Sequence, residues 1–352
     1  MKGLLGKSIV DGFGYSSAFD SYGLAKWMIH RSGRAGTAEA IRNVVKFGSS
    51  DESEMVTVYA IGGVKVDRTH KLNKNMSIMP ISELPESQQR NEMLGLITGV
   101  SLQIQPLRQR PVSGVVLNYK INVKTKRSEK LSKEWFARRR ERETELEEAL
   151  LCMGIAWRGV VDLVAAWTQP ADEKTPGIFP TCMISTHVSG APRRIPRCID
   201  VPKLVRVLKL LSEFQGDRKS LHVPMKRLNS AMFQSHIADR AIDLGIALES
   251  LLMNESAAKG RSDNQEIRFK IGVRGAWLSG RNPDERHGQF KNIQKIYDLR
   301  SAAVHSGEIR SGDFIKMTEQ LDAGEDLSAS LILKILENGR WPEWGKIIFG
   351  QE

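Results

Sequence analysis

Cysteine is scarce in this chain. Cys152, Cys182 and Cys198 lie scattered among 352 residues, an odd number that argues against a disulfide framework and for a reducing compartment. Together with His187 they offer four soft ligands, but without the spacing of a zinc module, so no metal is expected. No stretch approaches the roughly 18 uninterrupted apolar residues of a membrane span. The apolar run at Leu4-Leu5 is too short for a signal peptide, and a soluble, cytoplasmic protein without a membrane partner is expected. Gly6-Lys7-Ser8 mimics the end of a phosphate-binding loop, yet the position five before Gly6 is Met1 and no strand precedes it, which excludes that motif. Internal repeats, low-complexity tracts and glycine- or proline-dominated segments are also missing, and no motif calls for a cofactor.

What remains is an ordinary globular composition with a basic excess. At 41% hydrophobic and 26% charged residues, the chain can bury a large core, and its length suggests two domains or three. The formal net charge of +11 and a pI near 9.5 favour an anionic partner, nucleic acid before membrane surface.

Patterning separates residues 1–195 from residues 196–345. In the first region, Val56, Val58 and Ile61 lead through Gly62-Gly63 into Val64-Lys65-Val66, which reads as a hairpin. A second β-rich passage runs from Val100 through Ile104 and from Val115 to Val123. One long helix, or two abutting ones, is predicted from near Ser132 on through Trp167, with Gln169-Pro170 as its end, and a short helix around Ala35–Val45. Five prolines between Pro170 and Pro196 mark loops around one strand, Cys182–His187, at the domain border. Beyond it helices are predicted at about 201–211, 228–253, 265–279, 286–306 and 313–338, a bundle joined by short loops. The whole reads as α+β, a β-rich region followed by an all-α bundle.

One stripe in the bundle stands out. Phe290, Ile293, Tyr297, Arg300 and Val304 recur at three- or four-residue spacing, the buried face of an amphipathic helix. A permanently charged guanidinium on that face is costly unless something anionic meets it. Five residues later comes His305, a residue type suited to proton transfer near neutral pH, and Gly307 supplies a helix stop.

The stretch Tyr297-Asp298-Leu299-Arg300-Ser301-Ala302-Ala303-Val304-His305-Ser306-Gly307 resembles the Arg-x4-His signature of the HEPN superfamily, in particular its Apea-like branch. Upstream, Asp239–Leu252 is similar to the family's first core helix, ending on Ala247-Leu248-Glu249-Ser250-Leu251-Leu252, and Ile267–Leu278 is similar to its intervening helix. The resemblance covers about residues 227–340. It implies a HEPN-type bundle forming a homodimer with a composite cleft, and metal-independent cleavage of RNA through the ribose 2′-hydroxyl. It assigns His305 to proton transfer and Arg300 to the phosphate, with Ser301, Asp298 and Glu249 as supporting residues. It further implies an intracellular toxin or anti-phage, abortive-infection effector, with a phage-derived or nucleic-acid trigger. Ser301 departs from the pattern, since many active members carry Asn, Asp or His there.

Other readings compete for the same residues. In one, the bundle is a non-catalytic RNA-binding or dimerising adaptor, Arg300 pairs internally with Glu249 or Asp298, and His305 caps helix carbonyls. Arg281-Asn282-Pro283-Asp284-Glu285-Arg286-His287 also offers Arg and His, but it reads as the loop before a helix because of Pro283. Arg138-Arg139-Arg140, with Lys124, Lys126 and Arg127 upstream, could meet phosphates. The glutamates that follow allow pairs such as Arg139 with Glu143 instead, and a solvated helix is the preferred reading. Arg193, Arg194 and Arg197 lack acidic neighbours and are candidates for RNA contact. Trp135, Trp157 and Trp167 read as core.

Overall fold

The computed structural model describes residues 8–10, 16–18, 21–50, 52–87, 90–91, 94, 111–122, 129–176, 183–184, 197–254, 264–309 and 313–349. The fold is α+β, an antiparallel sheet in the N-terminal part and helices beyond it. The predicted strand around Val100–Ile104 lies outside the described residues, as do Lys124, Lys126 and Arg127.

Backbone packing divides the chain into two units. The first takes in the described residues of Met1–Glu147, Asp162–His187 and Pro196–Cys198, the second those of Glu148–Val161, Val188–Ile195 and Ile199–Glu352. The second unit therefore includes a segment, Glu148–Val161, that sequence patterning assigns to the first region.

The first unit opens with the short paired strands β1 (Ser8–Val10) and β2 (Ser16–Ala18), followed by α1 (Ser21–Ala35) and α2 (Thr37–Ser49). A longer helical stretch than the predicted Ala35–Val45 is present, broken at Gly36, whose φ of 86° suits glycine. Its main sheet contains β3 (Glu52–Gly62), β5 (His70–Lys71), β6 (Met76–Pro80), β7 (Ser113–Asn122), β8 (Asp162–Pro170) and β9 (Met183–Ile184), in the order β5-β6-β7-β3-β8-β9. The two-residue strand β4 (Val64–Lys65) pairs with β10 (Arg197–Cys198), so the hairpin expected across Gly62-Gly63 does not form. Instead β3 lies between β7 and β8. Most of β3 from Met55 onward is buried, with neighbouring side chains on opposite faces, which suits a strand paired on both sides. Val56, Val58 and Ala60 join Val116, Ala165 and Trp167 in a core under Ile81 and Leu84. Thr57 faces the other way and shares a 2.7 Å hydrogen bond with Thr168.

The long helix α3 (Glu129–Trp157) ends sooner than expected. Arg158 takes a positive φ of 55°, and the chain re-enters the sheet as β8. Val164, Ala165 and Trp167 are thus strand residues: a run buried on both faces of a central strand carries no alternation to distinguish it from buried helix.

The described part of the second unit is wholly helical: the end of α3, then α4 (Val201–Glu213), α5 (Arg218–Phe233), α6 (Ile237–Leu252), α7 (Asn264–Ser279), α8 (Pro283–Ser306), α9 (Phe314–Glu337) and α10 (Trp344–Phe349). Asp200, Asp217, Asn282 and Asp313 cap four of these by accepting backbone N–H groups. The helix predicted at 228–253 is two, separated at Gln234–His236. The stretch around Pro283 is not loop but the start of α8. Proline is favoured in the first turn, Asn282 caps the Glu285 N–H, and the Glu285 carboxylate accepts from the Arg281 N–H.

Within this unit Glu148, at the end of α3, accepts from Arg218 and His222 of α5. Burial alone would raise its pKa, but these hydrogen bonds and charges bring it below the ordinary carboxylate range. A depressed carboxyl contributes stability above its unfolded pKa, about 4.3, that is lost as pH falls through the folded value. Urea melts are expected to show the wild type losing stability with acidification below about pH 4, and Glu148→Gln losing less over the same interval.

Candidate active site

Helix α8 runs along α6 and α7, and its buried side chains are Ile293, Ile296, Tyr297 and Ala303. Arg300 continues this stripe. Val304 does not: it is 51% exposed, and Ala303 takes the inward place.

The stem of Arg300 lies across α6 at Gly245. A β-carbon on Gly245 would come within 2.4 Å of Arg300 Cγ and 2.8 Å of its Cβ. Glycine is needed there for close approach. Periodicity along the sequence does not single out this residue, although a glycine inside an otherwise apolar helix is a usable signal. Gly245→Ala is expected to force Arg300 off its seat and to cost about 1–3 kcal/mol, measurable as a lowered denaturation midpoint.

The guanidinium is half-buried. It donates from Nη2 to Glu249 across a long 3.5 Å contact, lies 5.3 Å from the Tyr297 ring centre, and has a buried Nε without a hydrogen-bond partner. One carboxylate at that distance leaves the five-donor fork largely unused. Asp298 does not contribute, because Arg268 holds it by two 2.8 Å hydrogen bonds. Burial first, and then the Glu249 charge, push the Tyr297 phenol above its usual pKa.

His305 sits in the last turn of α8 with its side chain exposed, and makes no hydrogen bond among the described residues. It is not a carbonyl cap. Ser306 Oγ donates to the Ala302 carbonyl at 2.6 Å, and the Gly307 N–H reaches the Ala303 carbonyl at 2.9 Å with Gly307 in the left-handed region. Ser301 is half-buried. The helix is regular through Ser306, so five residues turn the two side chains about 140° apart. One chain does not present Arg300 and His305 on a common face of this helix.

Other candidates fall elsewhere. Arg193 and Arg194 lie outside the described residues, and Arg197 is described only as a backbone member of β10. Arg139 donates to Glu143 at 2.7 Å, the pair anticipated from sequence. Cys152 is buried in α3, and burial pushes its thiol well above the usual value, the opposite of an activated nucleophile. No group of metal-ligating side chains is assembled among the described residues, and no helix among them is long and apolar enough to cross a membrane.

Comparison with protein-family models, curated proteins and solved structures returns no match.

Proposed function

We propose that this chain is a HEPN-type endoribonuclease that acts as a homodimer and needs no metal, its nucleophile being the substrate's own 2′-hydroxyl. His305 takes the proton from that hydroxyl as its oxygen attacks phosphorus. The phosphorus–5′-oxygen bond breaks, the leaving oxygen takes a proton, and the ends are a 2′,3′-cyclic phosphate and a free 5′-hydroxyl. Arg300 holds the phosphate and meets the charge that builds on it. The observation that carries this reading is the contrast between the two groups. The guanidinium is preset by Gly245 with donors to spare, while the imidazole stands free at the helix end.

Their separation around α8 calls for a second copy, so that Arg300 of one chain and His305 of the other meet one phosphate across a twofold axis. Exposed Val304 beside His305, and exposed Phe314 and Ile315 at the start of α9, provide apolar surface for such pairing. The basic balance of the chain favours an RNA partner. A cytoplasmic toxin or defence effector, held until a phage-derived or nucleic-acid trigger arrives, is the biological setting we propose.

The Arg300–Glu249 contact favours a second reading, a non-catalytic HEPN adaptor in which the arginine is structural. End-group analysis after incubation with total RNA separates the two. The nuclease yields fragments ending in cyclic phosphate; the adaptor leaves RNA intact.

A further inference from the structure

Arg142 occupies an unusual place in the first unit. It lies on α3, half-buried, with its guanidinium 4.2 Å from the centre of the Tyr119 ring on β7. Among the described residues it makes no hydrogen bond and no ion pair. Burial holds its pKa below the usual arginine value. The neighbouring carboxylate, Glu143, is taken by Arg139 at 2.7 Å. One turn earlier on α3 stands Arg138, exposed and likewise without a hydrogen-bond acceptor among the described residues. Two like charges at i and i+4 repel, and a partly desolvated guanidinium without an acceptor is costly.

The ring beneath adds a third donor. Thr57 Oγ1 donates to the Tyr119 hydroxyl at 3.2 Å and is itself bonded to Thr168 at 2.7 Å. With its oxygen accepting from Thr57, the phenol keeps its own O–H, for which no acceptor stands among the described residues. Two guanidiniums and a phenol O–H, with one fork set over the ring, suit a tetrahedral oxyanion better than a carboxylate, which a single fork would satisfy.

We infer that Arg142 and Arg138, over Tyr119, form a phosphate-binding site in the sheet-bearing unit. The site takes a phosphate group, carried either by an RNA chain or by a small phosphorylated ligand. The inference is independent of the nuclease reading, since none of its residues lies on α8.

The test measures binding by the full chain in two arms: inorganic phosphate, read as a rise in denaturation temperature, and a fluorescent 2′-O-methyl RNA oligonucleotide, read by anisotropy over a salt series. Wild type is expected to respond in at least one arm. Phosphate alone sufficing points to a small ligand, and a response confined to RNA points to the polymer. Arg142→Gln is expected to weaken the response about tenfold and, in the RNA arm, to reduce the salt slope by about 0.7 for each phosphate no longer neutralised. Its ligand-free denaturation temperature should not fall, because a repulsive, desolvated charge has gone. Arg142→Lys should recover part of the affinity. The inference is overturned if wild type binds in neither arm, if Arg142→Gln binds as wild type does, or if Arg142→Gln unfolds at a clearly lower temperature, which would make the stack on Tyr119 structural.

Discussion

Mixing Arg300→Ala protein with His305→Ala protein is expected to restore RNA cleavage that neither variant shows alone. Each substitution removes one half of the chemistry. Loss of the proton-transfer group costs about 10²- to 10⁴-fold in rate, and loss of a donor to the developing phosphate charge costs about 10²- to 10³-fold. Neither should unfold the bundle, because His305 is exposed and the half-buried Arg300 loses only its stem contact at Gly245, the Tyr297 ring and one long ion pair. In a mixed dimer one cleft combines the intact arginine of one chain with the intact histidine of the other. Equal mixing with free exchange would make half of the dimers mixed, each with one working cleft, for about a quarter of wild-type activity. Cleavage measured after mixing, against each variant at the same total concentration, provides the check. Continued inactivity in a mixture shown to contain mixed dimers would place both groups of each site in one chain, against their angular separation on α8.

The largest loss of stability is expected from Glu325→Ala. Arg240 of α6 and Glu325 of α9 are each only 3% exposed at the side chain and meet at 2.7 Å. Asp322, half-exposed, also accepts from Arg240. Truncating Glu325 strands a buried guanidinium with one carboxylate at the rim, which should cost about 3–5 kcal/mol. Removing Asp322 instead should cost less, about 1 kcal/mol, because its carboxylate is half-exposed and Glu325 still meets the buried guanidinium. The double change Arg240→Met, Glu325→Leu should return most of the loss, because no charge then remains to be compensated. Urea denaturation of the four proteins measures all three differences. Equal losses for Glu325→Ala and Asp322→Ala would show that burial does not set the strength of this pair.

Arg240 also marks a limit in what the sequence discloses. It stands about one turn before Leu244 and two before Leu248 on the apolar face of α6, so the reasoning that singles out Arg300 applies to it more strongly. Its acceptors are more than eighty residues away, however, and no local pattern names them. Helix starts are legible where a capping side chain precedes proline, as at Asp200 and Pro202. Asn282-Pro283 carries the same signal, obscured because proline breaks a helix interior as readily as it opens a first turn. Residues 162–170 read as helix because a strand covered on both faces has lost its alternation. The α+β division is legible, since polar and apolar residues alternate from Leu117 to Asn122 in β7 and not along α6. The candidate site is legible in Arg300 and His305. Its support at Gly245 and the pairing of Asp298 with Arg268 depend on packing between helices that spacing along one helix does not reveal.

The proposed chemistry rests on His305 moving a proton without help from a metal. The direct measurement is a time course of RNA cleavage in excess chelator, wild type beside His305→Ala. Wild type is expected to give discrete fragments with 2′,3′-cyclic phosphate ends, and the variant to leave the RNA whole. Cleavage by His305→Ala at the wild-type rate would contradict it.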